Sequence, residues 1–341
     1  MEMHNLEKED IKKVAELPYN WQLLTNKHVV ISGGTGFLGA FLCNVLRYRN
    51  ENYEQSIKVT CISRHAREND ETVEYVQADI CNPIRIQGDV DYVIHMASNT
   101  HPEQYKNDPV GTIIGNVFGA YNLLMLAKEN KATKFILLSS CEIYGEGSKM
   151  LMDENYCGYI NSNTARAGYN ESKRVSESLC QSFAQQYGVN SCICRMARVF
   201  GADKTKADSK AMAQFIRNAI NNEDIVLKSK GLQQYSFIYI ADAVSGILKV
   251  LFDGKIGDAY NIAGDYEGMS LGQYAEFIAH LGCKKVVYDI EDNPNASQAQ
   301  FALLDTAKIK AIGYNPIFSV KEGLIRTYRI LTEDNSKLTA H

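Results

Sequence analysis

The sequence predicts an α/β fold: a doubly wound parallel sheet with a smaller C-terminal substrate lobe. Short apolar segments rich in β-branched residues alternate with segments of helical period, and the apolar segments are mostly continuous, as in strands buried on both faces. The regular alternation ends near residue 195. With 341 residues, of which 45% are hydrophobic, the chain is long enough to bury a large core.

The regular part of the chain reads as strands separated by amphipathic helices. The predicted strands are HVVIS (28–32), IKVTCIS (57–63), VEYVQ (73–77), DYVIHM (91–96), KFILLSS (134–140) and VNSCICR (189–195). The clearest helical segments between them are residues 111–130 and 167–188. Strands that alternate with helices pair in parallel, so the sheet is predicted to carry helices on both faces.

The C-terminal part is less regular and predicts a smaller lobe. A helix (211–222), a strand YSFIYI (235–240), a helix (241–252) and a strand DAYNIAG (258–264) follow one another there. We therefore divide the chain into three regions: a helical extension that serves packing or an oligomer contact, a dinucleotide-binding domain, and a mainly substrate-binding lobe with elements that return to the sheet. Their bounds are 1–26, 27–200 and 201–335.

Composition excludes several classes of function. The net charge of −4 and the absence of a basic patch argue against nucleic acid as a partner. No continuous apolar run reaches membrane-spanning length, which predicts a soluble, cytoplasmic protein. Nine cysteines without a C-x-x-C pair indicate a reducing compartment and no metal site, and we interpret all of them except Cys141 as buried thiols.

A glycine-rich turn follows the first strand and predicts a dinucleotide site. Gly33, Gly36 and Gly39 are spaced G-x-x-G-x-x-G and open an apolar helix. Glycines permit close approach of the backbone to a pyrophosphate, and the helix N-terminus offers unpaired N–H groups. This strand–turn–helix context is typical of a Rossmann domain that binds NAD or NADP. The predicted cofactor contacts of this turn are Gly33, Thr35, Gly36, Phe37, Leu38 and Gly39.

The choice between NAD and NADP depends on the end of the second strand. An acidic residue that binds the ribose 2′-hydroxyl of NAD is usual there, but this chain has Ser63 and Arg64. That pair suits a 2′-phosphate; alternatively, Ser63 bonds the hydroxyl of NAD and Arg64 stacks on adenine. Asp79 follows the third strand and is placed to bind the adenine amino group, with Ile80 beside it, or to cap a loop.

Two segments carry candidate catalytic groups. Tyr169 and Lys173 lie four residues apart on one helix face, where the ammonium favours the phenolate of a proton acceptor. Ser140 and Glu142 end the fifth strand, where an extended chain points both side chains the same way. Ser140 is predicted to hydrogen-bond a substrate oxygen. Glu142 is predicted to act as a second acid or base, with loop capping or pairing to a lysine as the alternative.

The ordered set of motifs resembles the extended short-chain dehydrogenase/reductases, and within them the NAD-dependent epimerase/dehydratase family that acts on nucleotide sugars. The resemblance covers roughly residues 27–330. It rests on GGTGFLG (33–39), DI (79–80), VIHMAS (93–98), GNVFGAYNLL (115–124), S-x-E-x-Y-G (140–145), YNESK (169–173) and RVFG (198–201).

The resemblance implies a tightly bound cofactor that oxidises C4 of the sugar and later returns the hydride. Ser140, Tyr169 and Lys173 would carry this redox step. The resemblance also implies a homodimer whose interface helix carries Asn116 near the substrate. It further implies a cofactor pocket lined by His95 and Ala97; for His95 a buried core position is the alternative.

Two departures from the family pattern leave the second half of the reaction open. Cys141 stands where related dehydratases carry an aspartic acid, and Tyr235 stands where many relatives carry an arginine that grips diphosphate or assists decarboxylation. Arg195, Arg198 or Arg217 are candidates to replace that arginine. We predict Cys141, Asn116, Arg198 and Tyr235 as substrate contacts.

The main functional prediction is a nucleotide-sugar epimerase or dehydratase of surface-polysaccharide or deoxysugar formation. It takes a nucleotide-diphosphate sugar as substrate and works through a transient 4-keto sugar. The alternatives are a UDP-glucuronate decarboxylase-like enzyme, a net NADPH-dependent reductase, and a cofactor-binding protein without turnover.

Overall fold

The computed structural model describes residues 3–100, 106–146, 151–203, 210–290 and 301–338, and all statements below concern these residues. The helices are α1 Asn5–Ala15, α2 Phe37–Tyr53, α3 Pro109–Glu129, α4 Ala167–Tyr187, α5 Ala211–Ile220, α6 Ile240–Asp253, α7 Leu271–Leu281, α8 Ala307–Ala311 and α9 Val320–Leu338. Trp21–Leu24 and Cys141–Tyr144 form 3-10 turns.

The strands are β1 His28–Ser32, β2 Lys58–Ser63, β3 Val73–Gln77, β4 Tyr92–His95, β5 Lys134–Ser140, β6 Leu151–Met152, β7 Ser191–Met196, β8 Arg198–Phe200, β9 Ile225–Leu227, β10 Gln234–Tyr235, β11 Phe237–Tyr239, β12 Ala259–Ile262, β13 Val286–Tyr288 and β14 Phe301–Leu304. The six strands predicted in residues 28–195 are confirmed, with ends that differ by at most two residues. The two predicted helices that correspond to α3 and α4 are confirmed with the same precision.

The core of the fold is a seven-stranded parallel sheet in the order β12-β7-β5-β4-β1-β2-β3, which confirms the predicted doubly wound α/β class. The order changes direction at β1, so β1 and β4 are neighbours whose following loops diverge to opposite faces. Ser32 pairs with His95, and Ser140 pairs with Met196, so the carboxyl ends of these strands meet at one edge. Ligands bind at this edge in open α/β sheets.

Both faces of the sheet are covered, which explains the continuous apolar strands. In β1 every residue is buried, and Val29 and Ile31 pack into one hydrophobic cluster while Val30 packs into the other. Because successive side chains of a strand point to opposite faces, one apolar run fills two cores. Helices α2 and α6 cover the first face, and α3 and α4 cover the second.

The segment 235–240, predicted as one strand, changes partners at Ser236. Tyr235 pairs with Ala302 in a small sheet of β10, β14 and β6, while Phe237 pairs with Arg198 in the β8–β11 pair. The Ser236 amide donates to Ala302 and its carbonyl accepts from Arg198. The backbone of Ser236 thus forms hydrogen bonds to both small sheets, and Tyr235 lies beside β8.

The N-terminal extension is helical, as predicted, and packs onto the domain. The carboxylate of Asp10 in α1 is buried, pairs with Arg326 of α9 at 2.7 Å and accepts a hydrogen bond from the Tyr239 hydroxyl. Burial raises the pKa of Asp10 above its usual value. The extension therefore fastens the C-terminal helix to β11, next to the lobe.

One helix of the described chain, α3, is long and apolar enough by length and composition to cross a membrane, with a mean hydropathy of 1.5 in its best window. Half of that window is buried inside the fold, and α3 packs against α4 and the sheet. The core helices of soluble proteins pass the same test. Glycine, threonine and asparagine interrupt its apolar residues, which is why the sequence shows no continuous run.

All nine cysteines are free thiols, but they are not uniformly buried. The prediction of eight buried thiols is wrong for Cys81, which is half-buried, and for Cys157 and Cys283, which are exposed. The last two lie in loops outside the helices and strands, where local apolar composition does not decide burial.

Candidate active site

Lys173 of α4 joins that helix to the end of β5. Its ammonium is buried and donates a hydrogen bond to the Leu138 carbonyl at 2.9 Å. Burial lowers the pKa of Lys173 to about 8, although the nearby carboxylate of Glu177 raises it. A buried ammonium fixed to the strand by a single carbonyl is positioned to act on groups at the strand end.

Tyr169 lies one helical turn before Lys173 on the same buried face of α4. Its side chain is 7% exposed, and its carbonyl accepts from the Ser172 hydroxyl at 2.8 Å. The structure therefore places the predicted tyrosine and lysine together beside β5, at the ligand-binding edge of the sheet. Their assignment as catalytic groups rests on this placement and stays a prediction.

The segment after Ser140 is not extended, and this corrects the geometry predicted for it. Cys141–Tyr144 form a 3-10 turn, and the Ser140 hydroxyl accepts from the Glu142 amide at 3.2 Å. Helix α4 holds this turn in place. Asn170 donates to the Glu142 carbonyl at 2.9 Å, and Arg174 donates to the Ile143 carbonyl at 2.8 Å. Two backbone carbonyls of the turn thereby accept hydrogen bonds from side chains of α4.

Glu142 lies between two arginines. Arg198 of β8 is 3.3 Å from one carboxylate oxygen, and Arg166 is 3.9 Å from the other. Arg198 also donates to the Cys141 sulfur at 3.9 Å. All three charged side chains are partly exposed, so solvent screens these pairs. Burial raises the pKa of the Cys141 thiol, which keeps it protonated near neutral pH.

Tyr235 supports Arg198 from the lobe. The Arg198 guanidinium lies 3.9 Å from the centre of the Tyr235 ring, a cation–π contact. Of the three arginines considered as replacements for the family arginine, Arg198 is therefore the one beside Glu142 and Tyr235. Arg195 is committed elsewhere, to an ion pair with Glu177 at 2.8 Å. Arg217 lies on α5, in the lobe.

A buried polar network behind the strand end was not predicted. Glu177 accepts from the Ser139 hydroxyl and forms a forked pair with Arg195, which also donates to the Tyr144 hydroxyl. The signal that could have revealed it is the i, i+4 spacing of Lys173 and Glu177 on the buried face of α4. The network fixes Ser139, the residue before the predicted catalytic serine.

Asn116 lies in a second network that joins three segments. Its amide oxygen accepts from the Ser98 hydroxyl at 2.7 Å, and its amide nitrogen donates to the Ser172 hydroxyl at 2.9 Å. The side chain is buried. Asn116 thus ties the loop after β4 to α3 and α4, and its predicted contact with substrate stays a prediction.

His95 is a buried core residue at the end of β4. Its Nδ1 is 2.7 Å from the Ser32 hydroxyl, and burial together with the charge of Lys173 lowers its pKa to about 3. A neutral imidazole here adds no charge to the site. Ala97, two residues further on, packs against the glycine turn.

The glycine turn has the shape that a pyrophosphate requires. Gly33 has φ of +76°, and a Cβ there would lie 2.7 Å from the Ala97 nitrogen; at Gly39 a Cβ would collide with the Gly33 carbonyl. Gly36 caps α2 without a side-chain hydrogen bond, so the first-turn N–H groups of α2 have no side-chain cap. The residues therefore fit a dinucleotide, with Thr35, Phe37 and Leu38 completing the turn.

The predicted adenosine contacts lie along the same edge. Ser63 ends β2 and is buried, Arg64 follows it and is exposed, and Asp79 follows β3. Asp79 accepts from the Cys81 amide at 3.0 Å, which lowers the pKa of its carboxyl, and the charge of Arg64 lowers it further. The Ile80 carbonyl accepts from Asn122 of α3. Asp79 thus caps its own loop, and its predicted contact with the adenine amino group stays a prediction.

In the described part of the chain, no group of three or more His, Cys, Asp or Glu side chains is arranged to hold a metal ion.

Comparison with known proteins identifies the family. The family model described as "NAD dependent epimerase/dehydratase family" matches residues 29–263. UDP-glucuronic acid decarboxylase 1 of Danio rerio is 28% identical over 318 residues, which cover 90% of this chain and 73% of that protein. UDP-glucuronic acid decarboxylase 3 of Arabidopsis thaliana is 29% identical over 309 residues, which cover 88% and 87%.

Solved structures share the fold. A UDP-glucose 4-epimerase of Thermotoga maritima, determined with UDP-glucose, has a TM-score of 0.77 at 21% identity and covers 90% of this chain and 99% of that one. A dTDP-glucose 4,6-dehydratase of Streptomyces venezuelae, with NAD bound, has a TM-score of 0.76 at 21% identity and covers 91% and 98%. With the family model spanning more than half of its length, the chain belongs to the NAD-dependent epimerase/dehydratase family, whose members are enzymes.

Proposed function

We propose that this chain converts a nucleotide-diphosphate sugar through a transient ketone at sugar C4, as an epimerase or a dehydratase. The observation that carries the proposal is the buried Lys173 ammonium bonded to the end of β5, with Tyr169 one turn away and the Glu142 turn held by the same helix. The glycine turn would hold the nicotinamide cofactor, which would supply the hydride chemistry at C4.

The residues of the chain divide the proton chemistry between them. Tyr169 takes the proton of the C4 hydroxyl, and the Lys173 ammonium favours the phenolate that does so. Ser140 donates a hydrogen bond to the oxygen that becomes a carbonyl. That carbonyl acidifies the C–H bonds at C3 and C5, where Glu142 acts as the base.

Arg198 is the cation available to the anionic part of the substrate. It takes the place of the arginine that the family pattern has at Tyr235, because its guanidinium stacks on that tyrosine and reaches Glu142. A planar guanidinium binds a diphosphate or a carboxylate through two parallel hydrogen bonds. Cys141, beside Arg198, is a protonated thiol that can donate a proton to a leaving group.

A second candidate function is decarboxylation of a nucleotide-linked uronic acid. One observation favours it: Arg198 already holds the carboxylate of Glu142, so its site accepts a carboxylate. The curated relatives named above are UDP-glucuronic acid decarboxylases, which supports the same candidate. Loss of the family arginine at Tyr235 argues against it.

The test is mass spectrometry of UDP-, dTDP-, GDP- and CDP-sugars, uronic acids included, after incubation with the protein in D₂O. Deuterium bound to carbon together with loss of water indicates a dehydratase. Deuterium together with loss of CO₂ indicates a decarboxylase, and deuterium without either loss indicates an epimerase that uses Glu142. Conversion without deuterium means simple C4 inversion and removes Glu142 from the mechanism. No conversion of any sugar contradicts the proposal, and consumption of added NADPH then identifies a net reductase.

We further propose a homodimer formed through α3. An apolar surface, the α3 stripe, is exposed along one side of α3. It consists of Val110, Ile113, Ile114, Phe118 and Tyr121. Apolar side chains at this helical spacing are typical of a helix–helix contact. Light scattering should give the mass of a dimer, and Phe118→Glu should give a monomer; a monomeric wild type contradicts this proposal.

The setting that we propose is cytoplasmic formation of surface polysaccharides or deoxysugars. Nine free thiols suit a reducing compartment, and nucleotide sugars are the activated donors of glycan assembly. Deletion of the gene should change the monosaccharide composition of surface glycans.

A further inference from the structure

The end of strand β2 lies next to the glycine turn. Ser32, the last residue of β1, pairs with Ile62, so Ser63 is level with Gly33 and both face the same edge of the sheet. In a dinucleotide fold this position is where the ribose of adenosine rests once the pyrophosphate occupies the turn. We therefore expect the residues at this strand end to contact the 2′ position of the ribose.

No acid is present at this strand end. Residues 58–67 read KVTCISRHAR, with Arg64, His65 and Arg67 in the first four residues after Ser63. A carboxylate would accept a hydrogen bond from a 2′-hydroxyl and would repel a 2′-phosphate. The side chain here is instead a buried serine, whose hydroxyl accepts from the His65 amide at 3.2 Å.

Three acids, Glu68, Asp70 and Glu71, follow further along the loop, and Asp70 among them is committed to other partners. Asp70 accepts from the amides of Thr72 and Val73 at 2.9 and 2.8 Å and pairs with Arg47 of α2 at 2.7 Å. Its carboxylate is therefore committed to its own loop and to α2. It is not placed to supply the missing hydrogen-bond acceptor for a ribose hydroxyl.

Arg64 is positioned between the ribose and adenine sides of the site. Its carbonyl accepts from the side-chain amide of Gln77 at 3.3 Å, which ties the backbone after β2 to β3. Its side chain is exposed, and its charge acts on Asp79 at the end of β3. An exposed guanidinium at this strand end is available to an anionic group on the ribose.

We propose that the chain binds NADP in preference to NAD, with Arg64 and the Ser63 hydroxyl as the ligands of the adenosine 2′-phosphate. The phosphate carries nearly two negative charges, and an arginine binds it through charge-assisted hydrogen bonds. This departs from the cofactor in the family's description. It concerns the adenosine end of the cofactor and is independent of the sugar reaction.

The first experiment identifies the nucleotide that denaturation releases from the purified protein, by mass spectrometry. The second measures NADPH and NADH affinity of protein stripped of cofactor, by nucleotide fluorescence at low and high salt. NADPH should bind at least about tenfold more tightly, because a charge-assisted hydrogen bond is lost with NADH. The advantage should shrink as salt screens the phosphate. Equal affinities, or tighter binding of NADH, overturn the proposal.

Variants test the residues assigned. Arg64→Gln should weaken the binding of NADPH about tenfold or more and leave the binding of NADH nearly unchanged. Ser63→Asp should make the protein bind NADH more tightly than NADPH. Arg67→Gln, in the same exposed loop, is the matched control and should change neither affinity by more than about twofold. If Arg64→Gln weakened the binding of NADPH and of NADH equally, Arg64 would be assigned to stacking on adenine instead. An Arg67→Gln effect as large as that of Arg64→Gln would remove the assignment to Arg64.

Failure of this proposal is separable from failure of the proposed function. Cofactor affinity is measured without any sugar, and sugar conversion in D₂O is measured without varying the cofactor. A protein that binds NADH more tightly and still converts a nucleotide sugar contradicts the cofactor preference alone.

Discussion

The two sides of the candidate active site are held by different means. On the helix side, Lys173 and Glu177 are buried. Lys173 is hydrogen-bonded to Leu138, and Glu177 is hydrogen-bonded to the next residue of β5, Ser139. On the turn side, Glu142 and Arg198 are partly exposed and meet at 3.3 Å in a pair that water can reach. The first arrangement is held by buried hydrogen bonds, whereas the second depends on weak, screened contacts.

In the proposed mechanism, this difference separates the groups of the redox step from the groups that select the substrate. The helix side retains the Y-x-x-x-K spacing, and the fold alone holds its groups in place. The turn side carries both departures from the family pattern, at Cys141 and Tyr235. We therefore expect loss of Lys173 on the helix side to abolish turnover, and substitutions on the turn side to change which substrate is used and how well.

The largest effect is expected from Lys173→Met. Methionine fills the buried space but removes the ammonium that favours the Tyr169 phenolate, so turnover should fall by about a thousandfold or more. The measurement is kcat on the sugar identified in D₂O. Lys134→Met is the matched control, because Lys134 is also buried, bonds the Gly254 carbonyl at 2.9 Å and lies away from the site.

In the control, thermal stability should fall while kcat is retained. If Lys134→Met lowered kcat as much as Lys173→Met does, the effect would belong to general damage of the fold and the redox assignment would fail.

Glu142→Gln tests the turn side directly. The amide keeps the shape of the side chain and removes the base, so turnover should fall by about a hundredfold or more while the cofactor stays bound. Deuterium incorporation should disappear. Glu146→Gln, on the exposed residue that follows the turn, serves as the control and should leave the rate unchanged. Full activity of Glu142→Gln would make this carboxylate structural.

Arg198→Gln should act mainly on substrate affinity. Loss of the guanidinium should raise KM by about tenfold to a hundredfold, since one charge-assisted contact to an anionic substrate is removed. Tyr235→Leu keeps the guanidinium and removes only the ring beneath it, so a smaller rise is expected. Steady-state kinetics on both variants checks the order of the effects. A KM unchanged in Arg198→Gln would exclude this arginine from substrate binding.

The smallest expected effect is a shift of the pH profile in Glu177→Gln. Burial places the pKa of Lys173 at about 8, below its ordinary value, so activity that needs the ammonium should fall as pH rises through about 8. Glu177 raises that pKa, so its neutralisation should move the alkaline limb to lower pH. The measurement is kcat against pH.

The same substitution should also lower the melting temperature, because Arg195 loses its buried partner. If the melting temperature fell but the pH profile of kcat did not shift, the role of Glu177 would be purely structural.

Much of the fold was predictable because strand burial leaves a local signal. The runs at 28–32 and 134–140 have a continuous apolar centre, and the helix at 167–187 shows its period, so each was located correctly. Short strands such as Leu151–Met152 and Val286–Tyr288 were not predicted, because two or three residues carry no period. The segment 235–240 was predicted as one strand because the change of partners at Ser236 leaves no local signal.

By itself the sequence determined the doubly wound sheet, the glycine turn and the spacing of Tyr169 and Lys173, since each follows from residues close together in the chain. Only the tertiary structure decided that the strand end turns after Ser140, and that Arg198 stacks on Tyr235 beside Glu142. Such contacts join distant segments, and their partners depend on how the strand ends align at the edge of the sheet.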